Sequence, residues 1–363
     1  MEAIFITSED QKAILDTVAR FVEDEVKPRA ASLDADPDPA AGFSWEIVEK
    51  AHALGIRTMT LSEKWGGLGT DSLTTSMVIE ELAKGDIGVS VIFAQTLKIA
   101  QIMEKALNAE QQARVLPQFA SDPRGMLAIG ITEPDNASNY FLPYPTPFRT
   151  SASKTQGGWT VNGMKHFISN GNRASHYLVF VQTERGKPLA EGSTCFLIER
   201  DRPGFTIGRV HDKMGERLAN NAELVFQDCF VPDENVVGEV GCGFKVLADF
   251  FPQSNAYAGA TVIGVAEALF HKSLDCWLAD HREHAWDKTL GALPKAMAAQ
   301  ACWKIATWTM EIHGGHGYMK EFGVEKLMRD AAAFLHGAVR EDAAAHRYAR
   351  GNVRQRRSDR AGT

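Results

Sequence analysis

The chain changes character at Leu127, and that change limits what it can fold into. Residues 8 to 120 read as helices joined by loops. From Leu127 a short apolar run, Leu127-Ala128-Ile129-Gly130-Ile131, breaks into the loop Thr132-Glu133-Pro134-Asp135-Asn136-Ala137-Ser138-Asn139. Such a run has the length and composition of a buried strand, and Glu-Pro followed by Asp-Asn is turn chemistry. A strand that ends in hydroxyls and backbone amides at a fixed edge suits a planar heterocycle with carbonyl and ring-nitrogen acceptors. Short strands with regular turns follow, and a helical pattern returns from Val240. Helices, then a sheet, then helices argue for an α+β protein with segregated layers and against a βαβ sheet.

Within the first block, Ser8 and Gln11 form a capping-box pattern, and Ile14, Val18, Phe21, Val22 and Val26 follow at helical spacing. Lys27-Pro28 is expected to end that helix. Ser44 starts a second helix, with Gly55 as its stop, and Thr74–Leu82, Val89–Leu107 and Glu110–Ala120 are three more. Trp65-Gly66-Gly67-Leu68-Gly69 is a glycine-rich surface loop without the Gly-Lys-Ser/Thr of a phosphate loop. In the middle block, Trp159–Gly163 and His166–Gly171 read as strands closed by Asn-Gly turns. Tyr177–Thr183, Thr194–Glu199, Phe205–Arg209 and Ala222–Val231 extend the pattern to a compact barrel or sandwich. In the last block, Gly241–Phe251, Tyr257–Leu278, Leu293–Met310 and Val324–Tyr348 read as helical, with a Gly-His loop over Ile312–Tyr318. Gly259, Ala260, Gly264, Ala266 and Ala268 permit close helix packing. The expected domains are 1–123, 124–235 and 236–363.

Composition narrows the function classes. A net charge of −7 does not invite nucleic acid or an anionic membrane, and the basic stretch Arg350–Arg360 reads as a disordered or partner-contacting end. No apolar run is expected to span a bilayer, and no signal peptide is read at Met1–Thr7. The five cysteines, Cys195, Cys229, Cys242, Cys276 and Cys302, form no CxxC pair. They read as reduced, mostly buried thiols in a cytoplasmic protein. His281, His284, His313 and His316 have no metal-ligand spacing, so no metal is expected.

Four segments in this order carry a resemblance: ITEPDNASN (131–139), WTVNGMKHFISNGNRASHYLVF (159–180), GFTIGRVHDKMGERLANNAELVFQDCFVPDENVVGEVGCGF (204–244) and EIHGGHGYMKEFGVEKLMRDA (311–331). They resemble the acyl-CoA dehydrogenase superfamily of flavoproteins over nearly the whole chain. The resemblance implies an N-terminal helical domain, a central β domain and a C-terminal four-helix bundle, here shortened. It implies an oligomeric oxidoreductase with FAD, an acyl-CoA substrate whose α-proton a carboxylate removes, and an electron-transfer flavoprotein as acceptor. By position, Thr132 matches the threonine at the pyrimidine edge of the isoalloxazine, and Ile129 and Ile131 match neighbours whose backbone lines the ring. Ser138 matches a serine near the pyrophosphate. Phe167 stands for a tryptophan on the ring, Ser169 for a threonine near N5, and Gly314 and Gly315 form the Gly-Gly loop of the ADP half.

The same resemblance exposes departures. The family glutamate falls at Ala338, which cannot take a proton, and its alternative place near the start of the first bundle helix falls at Ser254. Arg340 replaces a cofactor-contacting threonine, and Glu311 replaces a glutamine beside the pyrophosphate. The Arg-x-x-Phe-Gly segment and several turns of two helices are missing between Cys276 and Leu293. His336, two positions before Ala338, is a candidate substitute base. The aromatic and proline-rich run Tyr140–Phe148 reads as a rigid turn or the wall of a pocket for a bulky acyl group. Three readings follow: a subunit whose partner supplies the base, a flavoenzyme with altered monooxygenase or oxidase chemistry, and a non-catalytic acyl-CoA or partner-binding member.

Overall fold

The computed structural model describes residues 8–136, 147–283 and 292–336. They form two compact units, Met1–His271 and Lys272–Thr363.

Helix α1, Glu9–Phe21, begins with both arms of the capping box: Gln11 N donates to Ser8 Oγ (3.1 Å) and Ser8 N donates to Gln11 Oε1 (2.9 Å). Contrary to the expectation from the sequence, Pro28 does not end the helical run. The backbone passes through one π turn, Val22–Val26, and α2, Lys27–Asp34, starts with Pro28 in its first turn. No intrahelical N–H is needed there, so proline is tolerated. The wide turn keeps Val22 and Val26 buried. α3 (Trp45–Ala53) is capped by Ser44 and stops at Gly55, whose φ of 75° favours glycine. α4 (Ser72–Gly85), α5 (Ile87–Ala106) and α6 (Ala109–Ser121) are capped by Asp71, Asp86 and Asn108.

α5 is the core of this layer. By length and composition it meets the requirements of a membrane span, which corrects the expectation that no segment does, but 72% of that window is buried inside the protein. Its Val89, Ile92, Phe93 and Leu97 pack with Val18, Ile47, Val78 and Leu82.

The sheet comprises β1 (Leu127–Gly130), β2 (Ser151–Thr155), β3 (Gly158–Ser169), β4 (His176–Gln182), β5 (Ser193–Glu199), β6 (Phe205–Val210), β7 (Asn221–Pro232) and β8 (Val236–Val237). A single-turn helix, α7 (Leu189–Gly192), precedes β5. The order is β6-β7-β3-β2-β4-β5-β8, and β1 pairs parallel to β4. β4 is buried along its whole length because both faces are covered. Leu178 and Phe180 join Ile99 and Met103 of α5, whereas Tyr177, Val179 and Val181 join Trp159, Phe196 and Phe226. This period-two division puts the helical layer on one face and the rest of the β domain on the other.

The Asn-Gly expectation fails at both places. Asn162-Gly163 lies inside β3, at a register shift, and the turn into β3 is at Gln156-Gly157. Gly163 has φ 132°, and a Cβ there would stand 2.6 Å from Thr150 Cα. Asn170 ends β3 with φ 60°, but the strand that follows pairs with β1, β2 and β5, not with β3.

Gly243–Glu283 is one continuous helix, α8, with Pro252 inside it, where two helical segments are expected. The boundary between the two compact units falls within it. At Gly264 a Cβ would lie 2.1 Å from Glu80 O, so the expected close packing of small residues is realised against α4. In the second unit α9 (Ala292–His313) takes in the start of the expected Gly-His loop. α10 (Gly315–Tyr318) is a single turn, and α11 (Val324–His336) packs on α9. Tyr140–Thr146, Ala338, Arg340 and the Arg350–Arg360 stretch lie outside the described residues.

Asn170 joins the two layers. It is fully buried, its N donates to Asn220 O (3.0 Å), and its Nδ2 faces Ile92 O (3.1 Å), Thr96 Oγ1 (3.3 Å) and Leu127 O (3.3 Å). Asn170→Ala leaves buried acceptors without a donor and puts a Cβ-only residue at positive φ. We expect a loss of about 2–3 kcal/mol in urea unfolding; a change below about 0.5 kcal/mol would contradict this linkage.

Candidate functional site

The loop after β1 is held by a buried ion pair. Lys165 in β3 and Glu133 are 0% and 2% exposed, and Lys165 Nζ lies 2.8 Å from Glu133 Oε1. The carboxylate also accepts from Arg149 N (2.7 Å) and Thr150 N (3.0 Å). The ammonium also donates to Ile131 O (3.1 Å) and lies 3.6 Å from the centre of the Phe148 ring. Burial pushes the Lys165 amine down to about 8, against the opposing pull of Glu133. Glu133 and Asn136 exchange backbone hydrogen bonds and close the loop (2.8 and 3.2 Å). The glutamate of the Thr-Glu-Pro run is therefore a clamp, a role its sequence context does not reveal.

This clamp positions the predicted residues. Ile129 and Ile131 are buried and Thr132 is half-buried. His166 N donates to Thr132 O (2.7 Å), which ties the loop to β3 beside Phe167. A register shift in β3 between Lys165 and Ile168 turns Phe167 outwards. It is 55% exposed with φ 58°, so it is not a core residue. A left-handed backbone at phenylalanine costs about 1–2 kcal/mol, and such strain gathers where a side chain has a task. Asn221 Nδ2 donates to Phe167 O (3.0 Å) and to Ser169 Oγ (3.1 Å), fixing both. Thr132 is thus tied to β3 next to Phe167, and Phe167 and Ser169 are held by one amide. Gly314 and Gly315 lie at the junction of α9 and α10 in the second unit, with Gly314 at φ 53°. Ser138 and Ala338 lie outside the described residues, and His336 is the last described residue of α11.

Ser254, which the resemblance puts at the alternative place for a base, has a partner the sequence does not announce. Lys98 of α5 is 6% exposed, and its Nζ donates to Ser254 Oγ (2.9 Å) and lies 5.0 Å from the Phe250 ring centre. Burial pushes its amine down to about 8, and no carboxylate among the described residues counters that. The available signal is a lone charge on the apolar side of a helix that is otherwise core. His166, His211 and Glu223 also converge, within 4.8 Å of one another, from three different strands or their ends. Two of the expected buried thiols, Cys195 and Cys229, are buried; Cys302 is exposed.

This chain matches the models of the acyl-CoA dehydrogenase N-terminal domain over residues 8–123, middle domain over 128–229 and C-terminal domain over 262–337. It is 30% identical to the short-chain specific acyl-CoA dehydrogenase of Clostridium acetobutylicum, an alignment that covers 90% of this chain and 93% of that one. The enzyme of the same description from Megasphaera elsdenii is also 30% identical, over 86% and 91% of the two chains. The structure of butyryl-CoA dehydrogenase from Megasphaera elsdenii matches with a TM-score of 0.70 at 27% identity, over 97% of this chain and 100% of that one. The chain belongs to the acyl-CoA dehydrogenase family, whose fold it has: helical N-terminal region, central mixed sheet and C-terminal helices. It is a dehydrogenase-type protein at the level of that family.

Two outcomes test the buried lysines. Lys165→Met strands the Glu133 charge and should cost about 3–5 kcal/mol at pH 7. Adding Glu133→Gln should recover a large part, and a single-variant cost below about 1 kcal/mol would remove the clamp. Lys98 acts in the opposite sense. The folded amine loses its proton near pH 8 and the unfolded one near 10.5, so the unfolded chain binds more protons in between and stability rises with pH across that window. Lys98→Met should remove that rise and stabilise the protein below pH 8, by up to about 3 kcal/mol. Identical pH profiles of thermal unfolding for the two proteins would refute it.

Proposed function

We propose that this chain is a subunit of an FAD-dependent acyl-CoA oxidoreductase that forms an α,β double bond in an acyl-CoA thioester, with a partner subunit supplying the carboxylate base. The observation that carries this reading is Phe167: an aromatic face turned to solvent on a strained backbone, beside two hydroxyl-bearing residues, in a chain of this family. A flat heterocycle would cover that face. Thr132 and the backbone of Ile129 and Ile131 hold the pyrimidine side, Phe167 covers the ring and the Ser169 hydroxyl donates to it. Ser138 and the Gly314-Gly315 turn are assigned to the remainder of a cofactor by the family resemblance alone. Bound FAD supplies the hydride acceptor. An electron-transfer flavoprotein is the proposed acceptor of the electrons, and the cytoplasm the proposed compartment.

The dependence on a partner rests on what Ala338 and Ser254 lack. Neither can take an α-proton, and Lys98 fills the space beside Ser254 with a cation rather than a carboxylate. An oligomer is supported by large apolar side chains left exposed: Val262, Ile263 and Leu269 on α8, and Ile305 and Trp308 on α9. A second reading, altered chemistry in a homo-oligomer, draws on the same Lys98, whose lowered pKa suits an amine that takes up a proton.

Visible absorption of the protein, alone and co-expressed with a full-length relative, tests the proposal. We expect flavin bands, release of FAD on denaturation, and bleaching by an acyl-CoA only with the partner. Thr132→Val should lower flavin occupancy several-fold; unchanged occupancy would remove that role. Bleaching by the lone chain would favour the second reading, and no flavin under either condition would end the first.

A further inference from the structure

The sheet holds a second cluster that the flavin reading does not use. β7 lies between β6 and β3, and Glu223 projects from β7 with a register shift on each side, between Ile207 and Val210 in β6 and between Lys165 and Ile168 in β3. Bulges re-aim side chains. Here they bring His166 from one neighbour and His211 from the end of the other to the same carboxylate. His166 Nε2 lies 3.2 Å from Glu223 Oε1, and one ligand atom from each of the three residues falls within 4.8 Å of the others. The imidazoles cross at 83° with ring centres 4.5 Å apart, and the Phe167 ring lies against both, 4.1 Å from His166 and 4.5 Å from His211.

The cluster has unused coordinating capacity. His211 is only 9% exposed, yet its Nε2 is buried with no hydrogen-bond partner among the described residues. Glu223 Oε2 accepts from Arg209 N (3.0 Å), which orients the carboxylate, and His211 N donates to Asn221 O (2.8 Å), which fixes the backbone at the end of β6.

We propose that His166, His211 and Glu223 form a binding site for one borderline divalent transition ion of the zinc class. Ligands at ~2.0–2.1 Å around a tetrahedral ion stand about 3.3–3.4 Å apart. The His166–Glu223 pair, at 3.2 Å, is close to that separation, and the third atom, within 4.8 Å of both, has to move in by at most about 1.5 Å. Two imidazoles and one carboxylate select zinc, cobalt or iron(II) over magnesium and calcium, which take oxygen ligands. Arg209 and Lys213 act on His211 as positive charges and oppose any divalent ion alike. Three protein ligands leave the fourth position open. The sequence does not display the site, because its ligands come from two strands and the end of a third, at separations unlike any linear metal motif. It requires no flavin and no partner.

Isothermal titration of the chelator-treated full chain with zinc chloride tests it. We expect one zinc per chain, no magnesium binding at matched concentration, and visible cobalt(II) bands of a low-coordinate site. His211→Ala should weaken zinc binding by at least about tenfold. Glu223→Gln, which keeps the side-chain volume, should do the same if His211→Ala fails to fold. His313→Ala/His316→Ala should leave binding unchanged. Zinc affinity unaltered by His211→Ala or Glu223→Gln, equal binding of magnesium, or loss of binding in the His313/His316 variant instead would overturn the assignment.

Discussion

Lys165 and Glu133 face each other where solvent does not reach, and the loop that ends β1 is held through them. A buried ion pair adds little net stability, since taking both charges out of water offsets most of their attraction. What it contributes here is position. The Glu133 carboxylate reaches the backbone at Arg149 and Thr150, and the Lys165 ammonium reaches Ile131 O. Three separate stretches of chain are thereby brought to one point. Thr132 is then joined to His166, and Phe167 follows in sequence. The exposed aromatic face and the hydroxyls beside it inherit their placement from this pair.

Much of the fold can be read in the sequence, wherever a signal is local. Ser8, Ser44, Asp71, Asp86 and Asn108 cap helices because each accepts a hydrogen bond from a backbone N–H three residues on. β4 and β5 are legible as unbroken apolar runs. The misreadings involve residues whose meaning depends on distant chain. Pro28 would stop an isolated helix, but a π turn shifts it to a helix start. Asn162-Gly163 would turn an isolated hairpin, but β7 and Thr150 are close by and the glycine serves as a bulge.

The site is less legible than the fold, for the same reason. Thr132, Phe167 and Ser169 lie in recognisable runs, so their positions can be named. Glu133, Lys98 and Glu223 acquire their roles from partners 32, 156 and 57 positions away, and no pattern of neighbours encodes that. Lys98 shows the consequence. In a sequence it is one charged residue in an apolar helix; in the fold it is a buried amine beside Ser254, with no carboxylate among the described residues to counter its burial.

The parallel pairing of β1 with β4 also bears on the order of assembly. Leu127–Gly130 lies against His176–Val179, and the whole β2–β3 hairpin lies between them in the chain. During synthesis β1 emerges early, yet its sheet partner exists only after residue 179 has left the ribosome. Until then β1 has the helical layer, above all α5, and later β3 to shelter it, but no strand to pair with. The N-terminal helices thus act as a holding surface for a strand whose neighbour has not been made, and a chain cut between 130 and 176 would keep that strand exposed on one side.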